Sequence, residues 1–164
     1  MKFYTIQQRS TWNKWKRQGY LEAYGDSDED FETAYKWMRE QMKKRLPNYK
    51  GEKPIWLWVN RPDAYRDWSD IPRKKFVLLT IELDEKDVLL SNFDVWHIPL
   101  GEMMNDKENW EAEFEWEKVF DLEWCRNVFL EQSTREVLQA TTGRIELSKV
   151  INIKYFTTKK LNYY

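Results

Sequence analysis

Alternating apolar and polar residues predict strands in the first half of the chain. Residues 2–7 (KFYTIQ) alternate as a short strand would. Residues 54–60 (PIWLWVN) are apolar on both faces, which is typical of a central strand. Residues 76–83 (FVLLTIEL) predict another strand, and residues 84–100 predict a turn followed by a shorter strand that carries Trp96 and His97.

Apolar residues at spacings of three and four predict two early helices. The first begins at a Ser10 or Thr11 cap and ends at Gly19. The second covers residues 30–46, with acidic residues early and basic residues late. Residues 105–122 predict a loop and then a helix, whereas residues 123–133 fit either a loop or a short helix.

The end of the chain predicts two further strands around a turn. Glu136 opens the first of them, Gly143 supplies the turn, and the second ends near residue 156. Strands and helices follow each other in mixed order, so we expect an α+β fold with a mixed or antiparallel sheet flanked by helices. The 164 residues suit a single domain over residues 1–164.

Composition and charge exclude several classes of protein. The 27 basic and 28 acidic residues nearly balance, so the chain has no overall excess of positive charge that would indicate a nucleic-acid-binding protein. A local basic patch that binds nucleic acid is still compatible with this composition. One cysteine excludes an intrachain disulfide framework and a thiolate metal site, and with one histidine we expect no metal. No stretch has the apolar length of a signal peptide or membrane span, so we expect a cytoplasmic protein without a membrane partner.

Aromatic residues make up 16% of the chain. Large rings fill small cores efficiently, and they also line pockets for flat ligands. We therefore expect most rings in the core and consider Trp56, Trp58, Trp96 and His97 as lining a cleft. His97 also fits a packed structural role, and its pairing with Cys125 as base and nucleophile is the weakest alternative.

The first and last segments resemble ADP-ribosyltransferase domains. Such domains begin with a short strand and a helix of about this length, as in FYTIQ followed by WNKWKRQGYL. The closing block is similar to the end of poly(ADP-ribose) polymerase catalytic domains, where a glutamate leads one strand and a second strand follows. Here Glu136 leads VLQAT, and residues 145–151 follow at the same spacing.

The resemblance implies a split sheet, NAD as substrate and Glu136 as the catalytic carboxylate. Such a carboxylate stabilises the positive charge that develops on the ribose. Thr5 and Gln7 stand where active transferases carry a His or Arg that contacts NAD. Gln139 is an alternative polar group on the closing strand, although its separation of three residues from Glu136 directs the two side chains to opposite faces of a regular strand. The implied function is ADP-ribosyl transfer from NAD to a protein or nucleic acid, for which a bacterial or phage conflict system is a fitting context.

A second resemblance covers most of the chain. The segments YTIQ, AYKWMREQMKKR, PIWLWVN, LLSNFDVWH and VFDL are similar to an uncharacterised bacterial family, domain of unknown function 3841. The alternative to an enzyme is a non-catalytic module on the same fold that binds a nucleotide, nucleic acid or protein partner. A carbohydrate-binding module rests on the tryptophans alone.

Two further interpretations of charged residues stay open. Glu136 also fits an exposed carboxylate at a strand edge. The basic runs at 43–45 and 73–75, together with the end of the chain (KYFTTKKLNYY), fit either ordinary surface lysines or a basic, aromatic rim that touches nucleic acid.

Overall fold

The computed structural model describes residues 1–24, 29–63, 73–105, 115–129 and 136–158. In these ranges the chain forms eight strands and four α-helices. The strands are β1 (Lys2–Gln8), β2 (Tyr20–Leu21), β3 (Ile55–Trp58), β4 (Lys75–Glu82), β5 (Leu89–Asn92), β6 (Leu138–Thr142), β7 (Ile145–Glu146) and β8 (Val150–Thr157). The helices are α1 (Arg9–Gln18), α2 (Glu32–Arg45), α3 (Phe93–Asn105) and α4 (Leu122–Phe129).

Six of the strands form one sheet in the order β5-β6-β3-β1-β4-β8. All described pairings in it are antiparallel. β1 and β4 pair over seven residues, whereas β1 and β3 share the single registered pair Tyr4–Trp58. β2 and β7 form a separate two-stranded ribbon. The expected α+β architecture is therefore confirmed, with a sheet that is antiparallel throughout its described pairings.

Helices cover both faces of this sheet. Helix α1 packs on one face, which we call the α1 face, and buries Trp12 and Trp15 there. Helices α2 and α3 pack on the other face, called here the α2 face, where Met38 and Met42 meet Trp96. The alternation of side chains along each strand supplies both layers, which explains why β3 and β4 are apolar on both sides.

Several expected elements are confirmed. β3 lies between β6 and β1, as its two apolar faces predicted, and α2 occupies residues within the predicted helix. Gly19 ends α1 in the left-handed conformation (φ 84°), and its N–H donates to Trp15 O at 2.9 Å. A residue without Cβ adopts this conformation at no steric cost, so the glycine sets the end of the helix.

Two predicted helix and strand boundaries are wrong. The Ser10 or Thr11 cap is not used, because α1 starts at Arg9 directly after β1 and Gln8 precedes it without a side-chain cap. The shorter strand predicted within residues 84–100 is confirmed as β5, but it ends at Asn92, and Trp96 and His97 lie on helix α3 instead. Asn92 Oδ1 accepts the N–H of Val95 at 3.0 Å, and this cap turns an apolar run that fits either structure into a helix.

The predictions for the segments after residue 105 agree with the structure in part. Trp116–Phe120 forms a 3₁₀ helix within the stretch predicted as loop and helix, and residues 106–114 lie outside the described residues. The ambiguous stretch after residue 122 contains α4, and the helical alternative is thereby confirmed. Residues 159–164, which end the predicted basic rim, also lie outside the described residues.

Candidate functional site

Glu136 lies two residues before β6 and is fixed by backbone hydrogen bonds on both sides of the strand. Phe93 N donates to Val137 O at 2.9 Å, and Val59 N donates to Leu138 O at 3.2 Å. The chain around the carboxylate is therefore tied to α3 on one side and to the end of β3 on the other. Such anchoring holds a functional group more precisely than a free loop does.

The carboxylate of Glu136 is largely buried and weakly paired. Its side chain is 21% exposed, and Oε1 lies 3.8 Å from Arg126 Nη1 of α4. Oε1 is buried without a hydrogen-bond partner. Buried carboxylate oxygens normally accept hydrogen bonds, because desolvation without compensation costs several kcal/mol, on the order of 2–7. The alternative interpretation of Glu136 as an exposed carboxylate at a strand edge is therefore wrong, because the side chain is largely buried.

Cys125 lies beside this carboxylate and is unsuited to nucleophilic attack. Burial raises its pKa to about 11, and the negative charges of Asp121 and Glu136 act in the same direction. The thiol donates to Lys118 O at 3.3 Å, whereas His97 Nδ1 hydrogen-bonds to Phe93 O at 2.8 Å. Since both groups bond to backbone carbonyls and not to each other, the proposed base–nucleophile pair gains no support.

The four aromatic residues expected in a cleft divide into two pairs. Trp56 and Trp96 pack together in the core on the α2 face, with ring centroids 5.3 Å apart. Trp58 is partly buried and contacts Phe93, whose ring centroid lies 5.0 Å from its own. Phe93 in turn contacts the exposed ring of His97 at 4.5 Å. Trp58, Phe93 and His97 thus form an aromatic step at the start of α3, close to Val137 and Glu136.

Buried polar atoms without partners lie next to this step. Gln139 on β6 is paired across the sheet with Ser91 on β5 and with Trp58 on β3, so the three side chains share the α2 face. Gln139 Nε2 and Ser91 Oγ are buried and have no hydrogen-bond partner, and the same is true of Trp56 Nε1 two residues from Trp58. All three can donate, so together they suit an acceptor such as a carbonyl oxygen or a water molecule.

Thr5 and Gln7 do not join this group. Gln7 Nε2 donates to Thr5 Oγ1 at 2.9 Å, and their partners on β4 belong to the α1 face. Tyr4, Trp58 and Gln139 lie side by side, with Gln7 three residues beyond this line and Glu136 three residues before it. At about 3.3 Å per residue, Gln7 and Glu136 are about 20 Å apart along the strands.

A small cleft at the other end of β6 was not anticipated. Its volume is about 160 Å³, below the roughly 300–1,000 Å³ typical of small-molecule sites. Two of its polar side chains are engaged within the protein: Asn48 Nδ2 donates to Asp87 Oδ1 at 2.9 Å, and the Tyr49 hydroxyl donates to the backbone carbonyl of Glu52. Burial raises the pKa of Tyr49 to about 12, with Glu52 adding to the effect, so the phenol stays protonated. Its small volume and these internal hydrogen bonds make the cleft a weaker candidate than the surroundings of Glu136.

Sequence inspection missed Ser91, Phe93 and Arg126. Ser91 is a polar residue inside the apolar run VLLSNF, and such a position is a signal for a buried hydroxyl. The position of Arg126 beside Glu136 depends on the packing of α4, which no local pattern encodes. Within the described residues, no group of three or more His, Cys, Asp or Glu side chains is placed to hold a metal ion.

The described helices include none with the length and apolarity needed to span a membrane. No curated protein and no solved structure matches the chain. The profile of one protein family, described as Domain of unknown function (DUF3841), matches residues 2–149, from β1 to the turn before β8. The match covers far more than half of the chain, and this protein therefore belongs to the DUF3841 family.

Proposed function

We propose that this protein transfers ADP-ribose from NAD to a macromolecular acceptor, with Glu136 as the catalytic carboxylate. The observation that carries the proposal is the buried Oε1 of Glu136, which lies just before β6, has no hydrogen-bond partner among the described residues and is 3.8 Å from Arg126 Nη1. A carboxylate in this condition is costly to folding, so a role in binding or chemistry accounts for it better than a structural role does.

The chemistry of the transfer requires a negative charge at this kind of position. The bond between nicotinamide and ribose breaks with its electron pair going to nicotinamide, and an acceptor oxygen or nitrogen then bonds to the ribose and loses its proton. Positive charge develops on the ribose between these events. A fixed carboxylate in a poorly hydrated site stabilises that charge without reorganising, an effect worth roughly 10²–10³ in rate for one such group.

The neighbouring groups support binding of a flat, amide-bearing substrate. Gln139 Nε2 and Ser91 Oγ are donors without partners and suit a carboxamide or base oxygen. The step of Trp58, Phe93 and His97 offers ring surfaces against which an aromatic base packs. In this proposal Gln139 takes the binding role first expected of Thr5 and Gln7, because those two residues belong to the other face of the sheet.

A second candidate, a non-catalytic binding module, is favoured by one observation. β1 carries neither His nor Arg, and its polar residues Thr5 and Gln7 lie about 13 Å and about 20 Å from Glu136 along the strands. If no second polar group meets the substrate beside Glu136, the same buried donors and aromatic step would bind a nucleotide without turning it over.

The deciding experiment follows label from adenylate-labelled NAD into total cell extract, using the full chain. We expect transfer by the wild type and a loss of about 100-fold or more in Glu136→Gln, because the amide keeps the size of the side chain but not its charge. Glu146→Gln, on the exposed edge of β7, is the matched control and should retain activity. Equal activity of Glu136→Gln and wild type would exclude the catalytic role, whereas NAD binding without transfer by the wild type would establish the binding module.

A further inference from the structure

Positive charge is concentrated in three segments of this nearly neutral chain. Nine Lys or Arg residues and no Asp or Glu residue occur in residues 1–18, 73–81 and 150–158. The rest of the chain contains 18 Lys or Arg residues and 28 Asp or Glu residues. The nine are Lys2, Arg9, Lys14, Lys16, Arg17, Arg73, Lys74, Lys75 and Lys154. These segments form β1, α1, β8 and all of β4 except its last residue, Glu82, and they are adjacent in the structure, so the basic residues are also grouped in space.

Helix α1 lies against the outer strand β8 through cation and ring contacts. Trp12 Nε1 donates to the hydroxyl of Tyr155 at 3.1 Å, and the guanidinium of Arg9 lies 4.9 Å from the centre of the Tyr155 ring. Lys16 Nζ lies 5.7 Å from the Trp12 ring. Arg9, Trp12 and Lys16 are separated by three and four residues, so they form one stripe of α1 that borders β8.

The face of β8 beside this stripe is apolar and exposed. Ile151, Ile153 and Tyr155 are 47%, 39% and 48% exposed; Ile153 and Tyr155 lie on one side of the strand, and Ile151 lies where β8 shifts register against β4. They are three of the five large hydrophobic side chains that are exposed in the described ranges. Lys75 pairs with Thr157 and shares this side of the sheet, so a cation stands at the end of the apolar row. We call Arg9, Lys16, Lys75, Ile151, Ile153 and Tyr155 the α1–β8 surface.

We infer that the α1–β8 surface binds single-stranded nucleic acid. Arg9, Lys16 and Lys75 contact phosphates along one border, and bases pack on Tyr155, Ile153 and Ile151. Proteins that bind single strands combine cationic side chains, which contact the phosphates, with exposed aromatic and apolar side chains, on which the unpaired bases pack. A duplex keeps its bases stacked inside and would leave the apolar row uncovered. Arg9 Nε is buried and has no hydrogen-bond partner among the described residues.

Charge also argues against a second copy of the chain on this surface. An isologous dimer places the same patch on both sides of a twofold axis, so Arg9, Lys16 and Lys75 would face the same three cations. The described part of the surface contributes no carboxylate to offset that repulsion, whereas a polynucleotide supplies regularly spaced negative charge. The surface is on the α1 face, opposite the buried donors beside Glu136, so this inference does not rest on the proposed transferase activity.

The test is the fluorescence anisotropy of labelled oligo(dT) and oligo(rU) of about 12 nucleotides, with the full chain at about 50 mM salt. The two oligonucleotides distinguish DNA from RNA, and a duplex of the same length is the third probe. We expect both single strands, or one of them, to bind more tightly than the duplex. Binding of the duplex as tightly as the single strands, or no binding of any probe, would overturn the inference.

The charge is tested with the triple variant Arg9→Gln, Lys16→Gln, Lys75→Gln. The matched control, Lys36→Gln, Lys43→Gln, Lys86→Gln, removes the same charge from exposed lysines outside the surface. We expect the first variant to lose at least about 10-fold in affinity and its salt slope to fall by about 2, since each phosphate contact on a single strand contributes about 0.7. Equal losses in the two variants would reduce the effect to net charge and contradict a defined surface.

The ring is tested with Tyr155→Ala and Tyr155→Phe. The alanine variant removes the stacking surface and should weaken binding by about 10-fold, whereas the phenylalanine variant loses the hydrogen bond from Trp12 but keeps the ring and should bind as the wild type does. If both variants bind alike, bases do not stack on Tyr155. Sedimentation of the free protein provides the last check: a dimer dissociated by Ile153→Lys would assign the surface to self-association and overturn the inference.

Discussion

At the scale of single residues, buried hydroxyl groups of the sheet fall into two kinds. Ser91 Oγ is buried without a hydrogen-bond partner, whereas Thr142 Oγ1 donates to Asp87 O at 2.8 Å. An unpaired buried hydroxyl costs stability, and a paired one contributes to it. The two residues are on neighbouring strands of the same sheet. Removing the hydroxyl group should therefore change the free energy of unfolding in opposite directions at the two positions.

Ser91→Ala should therefore raise the free energy of unfolding by about 1 kcal/mol, and Thr142→Val should lower it by about 1 kcal/mol. Urea denaturation of the two variants and the wild type measures both changes. A stabilised Ser91→Ala with weaker NAD or nucleotide binding would agree with a ligand-binding hydroxyl. Destabilisation by Ser91→Ala would mean that a water molecule already bonds to this hydroxyl in the folded protein.

The thiol of Cys125 predicts a loss of stability at alkaline pH. Burial first, and then Asp121 and Glu136, raise its pKa to about 11 from 9.0. The folded state therefore keeps its proton where the unfolded state releases it, and unfolding is favoured as pH rises from about 9 to about 11. Tyr49, with a pKa raised from 10.0 to about 12 by burial and Glu52, adds to the loss only above about pH 10.

We expect the wild type to lose about 1 kcal/mol more stability than Cys125→Ser between about pH 8 and pH 10. Serine keeps a donor for Lys118 O but has no proton to release in this range. Denaturant titrations at several pH values measure the difference. Parallel pH profiles of the two proteins would contradict a raised thiol pKa.

At the scale of elements, two glycines have opposite requirements. Gly19 ends α1 with φ 84°, and Gly101 lies inside α3 with an ordinary helical backbone. A Cβ placed at either residue meets no atom within 4 Å, so packing is the same in both cases and only backbone preference differs.

Gly19→Ala should destabilise the protein by about 1 kcal/mol, because alanine resists the left-handed conformation. Gly101→Ala should stabilise it by about 0.5–1 kcal/mol, because alanine is the better helix former. Thermal unfolding of both variants checks the prediction. A Gly19→Ala variant as stable as the wild type, or more stable, would show that the end of α1 does not depend on Gly19.

At the scale of the whole molecule, the sheet joins the two helical layers. Met38 of α2 is fully buried and receives a hydrogen bond from Thr141 Oγ1 at 3.7 Å, so it connects α2 to β6 directly. On the other face, Trp12 and Trp15 pack against the strands from α1. Both helical layers pack against opposite faces of the same strands. If one layer detached, it would expose an apolar face of the sheet and destabilise the strands on which the other layer packs.

Met38→Ala should lower the free energy of unfolding by about 2–5 kcal/mol, as expected for a cavity in a packed core. Ile151→Ala removes an aliphatic side chain from the exposed row of β8 and should change it by less than about 0.5 kcal/mol. Circular dichroism and tryptophan fluorescence should follow one transition in each variant. Separate transitions in Met38→Ala would indicate that the two layers unfold independently.

The sequence by itself determined the elements whose signals are local. Gly19 ends α1, the apolar spacing around Met38 and Met42 produces α2, and the two apolar faces of residues 55–58 mark a central strand. These outcomes follow from backbone sterics and side-chain periodicity, which act within a few residues. The short apolar run after Ser91 fits a strand or a helix by periodicity alone, and the structure shows that the Asn92 cap begins a helix there.

Only the tertiary structure decided which polar residues meet. Gln139, Ser91 and Trp58 are distant in sequence and become neighbours through strand register, and Arg126 reaches Glu136 because α4 packs beside β5. The same register separates Gln7 from Glu136 and places it on the α1 face. Register and packing depend on the whole chain at once, so no local pattern of residues contains them.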